Sequence, residues 1–154
     1  MRKLISCVSR KEYYRNQIRH GKQHIDENPQ DKFSYAAIAV AYWHIRNFTE
    51  AKKNAEIALK LDPDMPEPYW ILAYISLDNK EPIEIYLPMA ERAYELAQEN
   101  VEAVVCFGLA KVESGNLIDG LLLLESAVEL NPLNIWARSN LAIVYGRIGD
   151  VEKF

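Results

Sequence analysis

NFTEAKKNAEIALKLDP, residues 47–63, carries three alanines, Ala51, Ala55 and Ala58, spaced so that all fall on one stripe of a helix. Asn47 supplies a turn before the run, and Pro63 ends it, because proline has no N–H to continue the ladder and its ring clashes with the preceding turn. GNLIDGLLLLESAVELNP, residues 115–132, repeats the grammar: a small turn, a stripe of Gly120, Leu124 and Ala127, and closure on Asn131 before Pro132. Another helical run lies upstream of each. The unit is therefore a pair of antiparallel helices joined by a tight turn.

Written out, the first copy puts Tyr35, Ile38, Ala39 and Tyr42 on one face of its leading helix, and the three alanines on the trailing one. The third copy places Val104, Phe107, Gly108 and Lys111, then Gly120, Leu124 and Ala127, in the same places. Small residues let two backbones approach while the larger ones fill the grooves between ridges. Large-x-x-large-small-x-x-large, then small-x-x-x-medium-x-x-small, then Pro is a spacing that resembles the tetratricopeptide repeat over most of the chain. The resemblance implies an all-α, right-handed solenoid of helix pairs with no catalytic activity of its own.

The units are placed at residues 32–65, 66–100, 101–134 and, as a leading half only, 135–154. In the second, Tyr69, Leu72 and Ala73 fit the leading helix, with Ser76 where an aromatic is expected. Ala90, Tyr94 and Ala97 fit the trailing one. That register makes the connection LDNKEPIEIYLP about five residues longer than its neighbours. It predicts a longer loop, or a longer helix from near Pro82 that Pro88 bends or delays. The passage through Asn100, with no Pro, reads as a shorter turn. The final YGRIGDVEKF, residues 145–154, reads as the hinge of the fourth unit: a turn on Gly149-Asp150 and the opening of a second helix that should cover Leu141, Tyr145, Ile148 and Val151. Residues 1–31 form a basic segment, with a capping or docking helix at 10–27 bearing Tyr14, Ile18 and Ile25 on one stripe.

Composition agrees with a globular domain: 154 residues, 49% hydrophobic and 26% charged, enough to bury a core. The longest apolar runs are too short to span a bilayer. LISC at 4–7 imitates a lipoprotein cleavage site, but only Leu4, Ile5 and Ser6 separate Lys3 from Cys7, so the required apolar stretch is missing. Cys7 and Cys106 fit no metal or redox spacing and are read as free thiols in a reducing cytoplasm. Net charge is −4, unevenly spread: seven basic residues and one acid up to Ile25, then 11 basic and 21 acidic. A basic arm before an acidic body can serve nucleic acid or acidic lipid, or can pack beside its own counter-charge. No base-reading motif accompanies Tyr13 and Tyr14, which argues against nucleic acid.

Enzyme signatures are missing: no phosphate loop, no nucleophile elbow, no metal-spaced cysteine pairs. His20 and His24 stand four apart, without a Glu beside the first, and are read as a solvated helix face. The expectation is no cofactor, no metal, no catalytic site and no small-molecule substrate. Protein binding remains.

In tetratricopeptide arrays the leading helices line a concave groove, and the resemblance carries this to Phe33, Val40, Trp43 and His44 in the first unit and Glu67, Trp70, Ile71, Tyr74 and Leu77 in the second. The third supplies Val105, Cys106, Leu109 and Val112, the half unit Trp136, Asn140, Ile143 and Arg147. All three tryptophans fall there. An apolar aromatic surface of this kind marks a contact for a peptide, a helix or a partner segment, unless the N-terminal helix folds in and fills it. Arrays that clamp a C-terminal carboxylate use Lys, Asn and Arg where this chain has Ala36, Val40, Ile71, Glu102 and Cys106, so that specialisation is not expected. Asn140 is the one echo of the groove asparagines in glycosyltransferase-associated arrays.

The primary reading is an interaction module. Its alternatives are a small homodimeric chaperone of secreted or assembling substrates, meeting its copy through the N-terminal helix or the uncapped C-terminal end, and the N-terminal regulatory domain of a longer enzyme. On this reading Trp43→Ala or Trp70→Ala removes on the order of 2 kcal/mol of binding energy and leaves helicity unchanged.

Overall fold

Helix starts are set by side chains that accept from otherwise unpaired backbone N–H groups. The computed structural model describes residues 2–151, with the side chains of residues 9–149. Asp31 accepts from Phe33 N at 3.1 Å and opens α2 (Lys32–His44); Asn47 accepts from Glu50 N at 3.2 Å and opens α3 (Phe48–Leu61). Pro66 stands in the first turn of α4 (Pro66–Asp78), and Pro82 precedes α5 (Ile83–Leu96). Asn100 accepts from Ala103 N at 2.9 Å at the head of α6 (Val101–Glu113), α7 spans Leu117–Leu130, and Asn134 accepts from Ala137 N at 3.0 Å at the head of α8 (Ile135–Val151). Ahead of all these lies α1 (Arg2–Glu27), which extends further toward the N-terminus than the predicted 10–27.

Each leading helix packs on the trailing helix that follows it: α2 on α3, α4 on α5, α6 on α7. Trailing helices α3, α5 and α7 pack on the next leading helix. The leading helices also touch in series, α2 to α4 to α6 to α8, and form an inner layer. Helix α1 packs on α2 as α3 does on α4, so it stands where the trailing helix of a preceding unit would stand. Ile18 is buried in this contact, and Tyr14 and Ile25 are half-buried.

The paired helices meet through their smallest residues. Ala39, Ala51, Ala55 and Ala58 are wholly buried. In the third unit a β-carbon on Gly120 would stand 2.7 Å from the Gly108 carbonyl oxygen and 2.9 Å from Val112 N, so no side chain fits there without parting α6 from α7. Gly108 and Gly120 thus occupy their predicted small places for a steric reason.

The second unit corrects its predicted register. Its helices are joined by residues 79–82, against 45–47 and 114–116 in its neighbours, so the connection is longer by a single residue and not by five. Counted from the helix start, Tyr86, Ala90 and Ala93 match Ala51, Ala55 and Ala58. Ala90 and Ala97 fit the small places of the predicted register, whereas Ala90 and Ala93 fit the other. The chain takes the second, which keeps the turn short and leaves Ala97 as the closing residue of α5. Tyr86 then stands where Ala51 does, and Ser76 where Tyr42 does, all four buried. One large and one small side chain share this pair of places in both units, which conserves volume. Pro88 lies inside α5, five residues past its start. The link at 97–100 equals those at 62–65 and 131–134, so the shorter turn predicted at Asn100 is not found.

Helix α8 corrects a second expectation, since it runs unbroken through Gly149 and Asp150, where a turn was predicted. Neither Gly146 nor Gly149 has a positive φ; that backbone occurs at Arg46 (62°), Lys80 (56°) and Gly115 (86°), the corresponding turn residues of the three units. Glycine adopts this conformation freely, whereas a side chain there is strained. Lys80→Gly should therefore raise unfolding free energy by roughly 0.5–1 kcal/mol, and Gly115→Ala should lower it by a similar amount. Urea denaturation followed by circular dichroism measures both.

Candidate binding cleft

Three leading helices send aromatic rings to one place on the inner layer. Trp43 comes from the last turn of α2, Tyr74 from the middle of α4 and Trp136 from the first turn of α8. Trp43 lies 5.4 Å from Tyr74 and 5.1 Å from Trp136 between ring centroids, and Tyr74 lies 5.4 Å from Trp136, all edge to face. Trp70 meets Trp43 from behind, at 5.0 Å and 88°. Such pairs place the positive edge of one ring on the negative face of another. The indole N–H groups of Trp43 and Trp70 are buried with no hydrogen-bond acceptor, and edge-to-face packing offers an N–H edge a ring face in place of an oxygen.

Helix α1 completes the wall. Tyr14 stacks flat on His44, with centroids 4.2 Å apart and planes 10° from parallel. On one side of this stack lies a cleft of about 510 Å³ between α1, the end of α2 and the start of α8. Trp43, Tyr74 and Trp136 line it, with Arg10, Arg46 and Glu102. On the other side a cleft of about 390 Å³ runs along α2 past Phe33, Val40 and Ala37 to Trp70 and Glu67. Tyr14 and Glu102 line both. The N-terminal helix thus neither fills the groove nor leaves it clear; its tyrosine divides it in two.

Of the sequence-predicted residues, Phe33, Val40, Trp43, His44, Trp70, Tyr74 and Trp136 line these clefts. Ile71 and Val105 are wholly buried, and Trp70 is 1% exposed. The reason is that leading helices pack on one another, so part of their inner face is the seam between them. Trp70 is therefore a packing residue that touches the cleft wall, and the expectation that its truncation leaves the fold untouched is corrected. Leu77 and Leu109 are half-buried among core side chains, Asn140 donates to the Trp136 carbonyl at 2.8 Å, and Ile143 is exposed; none of the four lines either cleft. Glu102, named among the groove places, lines both clefts, whereas Arg10, Tyr14 and Arg46 were missed as cleft residues. Arg46 had a signal, a bulky residue where the third unit has Gly115; the docking of Tyr14 and Arg10 has none in the sequence beyond the apolar stripe of α1.

The cleft walls are partly desolvated, and this shows in their titration. Desolvation, and then the charge of Arg10, hold His44 below the usual histidine range. Desolvation first, then Asp78, raises Tyr74, and desolvation raises Tyr14. Behind the wall, burial pushes the Cys106 thiol up to about 12, and its Sγ contacts the Trp70 carbonyl oxygen at 3.5 Å. Cys7 lies outside the described side chains. His20 and His24 are exposed, with His24 Nε2 3.2 Å from Asp31 Oδ2. Among the described residues no three His, Cys, Asp or Glu side chains are grouped as metal ligands, and no helix is long and apolar enough to cross a membrane.

No family model and no curated protein sequence matches the chain. Its architecture has clear counterparts among solved structures. It is similar to a tetratricopeptide-repeat protein of Thermus thermophilus, with 19% identity, a TM-score of 0.71, and coverage of 97% of this chain and 82% of that one. It is also similar to MamA of Desulfovibrio magneticus, with 20% identity, a TM-score of 0.63, and coverage of 94% and 88%. A third counterpart is YrrB, a tetratricopeptide-repeat protein with an unusual peptide-binding site, with 21% identity, a TM-score of 0.61, and coverage of 98% and 76%. At these identities the likeness is one of fold: the chain has the tetratricopeptide-repeat fold, an all-α solenoid of helix pairs.

His44 makes the docking of α1 sensitive to pH. Its folded-state pKa lies below the ordinary 6.5, so the unfolded chain takes up the proton first as pH falls. The stabilisation is present above pH 6.5 and is lost as pH drops through the folded value. Asp31 and Asp62, both held below 3.8, do not titrate in that window. The urea midpoint should fall between pH 7.5 and 5.0, and His44→Phe, which keeps a flat ring under Tyr14, should reduce that fall.

Proposed function

We propose that the chain is a non-catalytic protein-binding module that holds a peptide or helix of a partner in the divided cleft, by its apolar side chains. The observation that carries this is the cluster of Trp43, Tyr74 and Trp136. These three rings, from three helices, converge on the cleft and stay half-buried, while the helix pairs close through alanine and glycine. A solenoid needs large residues between its helices, and has no packing need for rings on a concave, water-facing wall. Aromatic side chains in such a place supply large contact area at low entropic cost. The unusual peptide-binding site of YrrB, a protein of similar fold, agrees with a peptide as the ligand here.

Trp136 and Trp70 separate binding from folding. A peptide selected on the wild-type chain from a random displayed library should lose about 2 kcal/mol, roughly thirty-fold in Kd, on Trp136→Ala. The thermal midpoint should change little. Trp70→Ala, by contrast, should destabilise the fold by roughly 3–5 kcal/mol. If selected peptides bind the Trp136→Ala chain as tightly as wild type, the cleft is not the binding surface.

A further inference from the structure

The mouth of the larger cleft carries charge that the rest of the body does not prepare for. After Ile25 the chain has 11 basic and 21 acidic residues, yet Arg46, from the turn after α2, lines this cleft, where Arg10 from the basic α1 joins it. Arg92 and Arg147 are paired with carboxylates at 2.7 Å, while neither Arg10 nor Arg46 forms an ion pair among the described residues. Among the described residues the one carboxylate lining this cleft, Glu102, already accepts from Asn134 Nδ2 at 3.3 Å. Arg46 also holds a φ of 62° where the third unit has Gly115. Its guanidinium lies 5.1 Å from the Phe48 ring centre, and Phe48 in turn lies 6.0 Å from the Tyr74 ring, so the strained turn sets a cation at the edge of the aromatic wall. Two guanidinium groups without an ion pair, beside half-buried aromatic rings, form a site for an anion attached to an apolar anchor.

We propose that the larger cleft selects an acidic–aromatic peptide. An aromatic or large aliphatic side chain sits against Trp43, Tyr74 and Trp136, and the carboxylate of a neighbouring Asp or Glu side chain is taken by Arg46 and Arg10. The proposal rests on the reading of the cleft as a peptide site and adds the sign of the partner. A nucleic acid would also offer stacking and negative charge, but Glu102 within the cleft and the acidic body oppose a polyanion.

The test uses the full chain and an array of end-blocked nonapeptides with a central Trp, Phe or Leu, flanked by all combinations of Glu, Gln, Lys and Ala. Glu-flanked members should bind about three- to ten-fold more tightly than their Gln counterparts, a preference that fades as salt is raised from 50 to 500 mM. Arg46→Gln and Arg10→Gln should each bring the Glu and Gln peptides to nearly equal affinity, and an unchanged circular-dichroism spectrum and thermal midpoint report that the variants are folded. Lys80→Gln, at the matching strained turn away from the cleft, should change nothing. Equal affinity for Glu and Gln peptides, or a preference for Lys, overturns the charge assignment but leaves the peptide site standing. A Gln peptide with a free C-terminal carboxylate that matches the Glu peptides overturns it in favour of a chain terminus. Single-stranded RNA decamers that bind more tightly than any peptide overturn it in favour of nucleic acid. Binding of none of these probes overturns the peptide reading itself.

Discussion

The contact on which the structure depends is the close approach of two helix backbones at positions too narrow for a large side chain. Ala39 and Ala51 in the first unit are wholly buried, and in the third Gly120 leaves no room for another carbon while Gly108 leaves little. Once paired helices are that close, their larger residues have two directions left. Ile38, Val104 and Leu124 go into the core and are lost to solvent. Trp43, Tyr74 and Trp136 go to the inner layer, where leading helices meet one another and Phe48, at the head of α3, closes on Tyr74 at 6.0 Å between ring centroids. The cleft is thus a consequence of the pairing geometry, and its aromatic lining is what the chain adds to it.

Helix α1 shows how one element can serve as cap and wall together. Its C-terminal half packs on α2 in the manner of a trailing helix: Ile38 fills the space left by Gly21, where a β-carbon would stand only 2.6 Å from it, and Lys22 lies over the Tyr42 ring at 5.6 Å. That contact hides an apolar face of α2 which a first unit would otherwise expose. Its other half stands over the groove and delivers Tyr14 and Arg10. Because the same rigid helix does both, loss of the Tyr14–His44 stack would alter the cleft and the docking of α1 together.

Helix pairing was legible because steric constraint is local: alanine stripes, asparagine caps and prolines act within a turn or two. The second unit resisted because Ala90 and Ala97 fit the small places of one register, while the register adopted puts Tyr86 in a small place and keeps only Ala90 and Ala93. What decides between them is the length of a turn and the volume shared by Ser76 and Tyr86, which belong to two helices at once. Gly149-Asp150 misled for a related reason. Glycine permits a turn but does not compel one, and a helix continues through it at a cost near 1 kcal/mol. At the site, counting positions found the three tryptophans but could not separate Trp70, sealed between helices, from Trp43 and Trp136 at the cleft. That distinction lies in how leading helices lean on one another, and Ile71 and Val105 fall on the seam for the same cause.

The division among the tryptophans also limits what a partner can do. Trp70 braces Trp43 from behind in an edge-to-face contact, and Cys106 abuts the Trp70 backbone, so the floor of the cleft continues directly into the core. A floor of this kind cannot move without disturbing packing between α4 and α6. Adaptation to a ligand is left to the parts that are less enclosed: the edge of His44, the side chains of Arg10 and Arg46, and the start of α8, where Leu133 and Ile135 are largely exposed. The site therefore combines a fixed aromatic floor with an adjustable charged rim. The floor sets which side chain can be anchored, and the rim sets what must stand beside it.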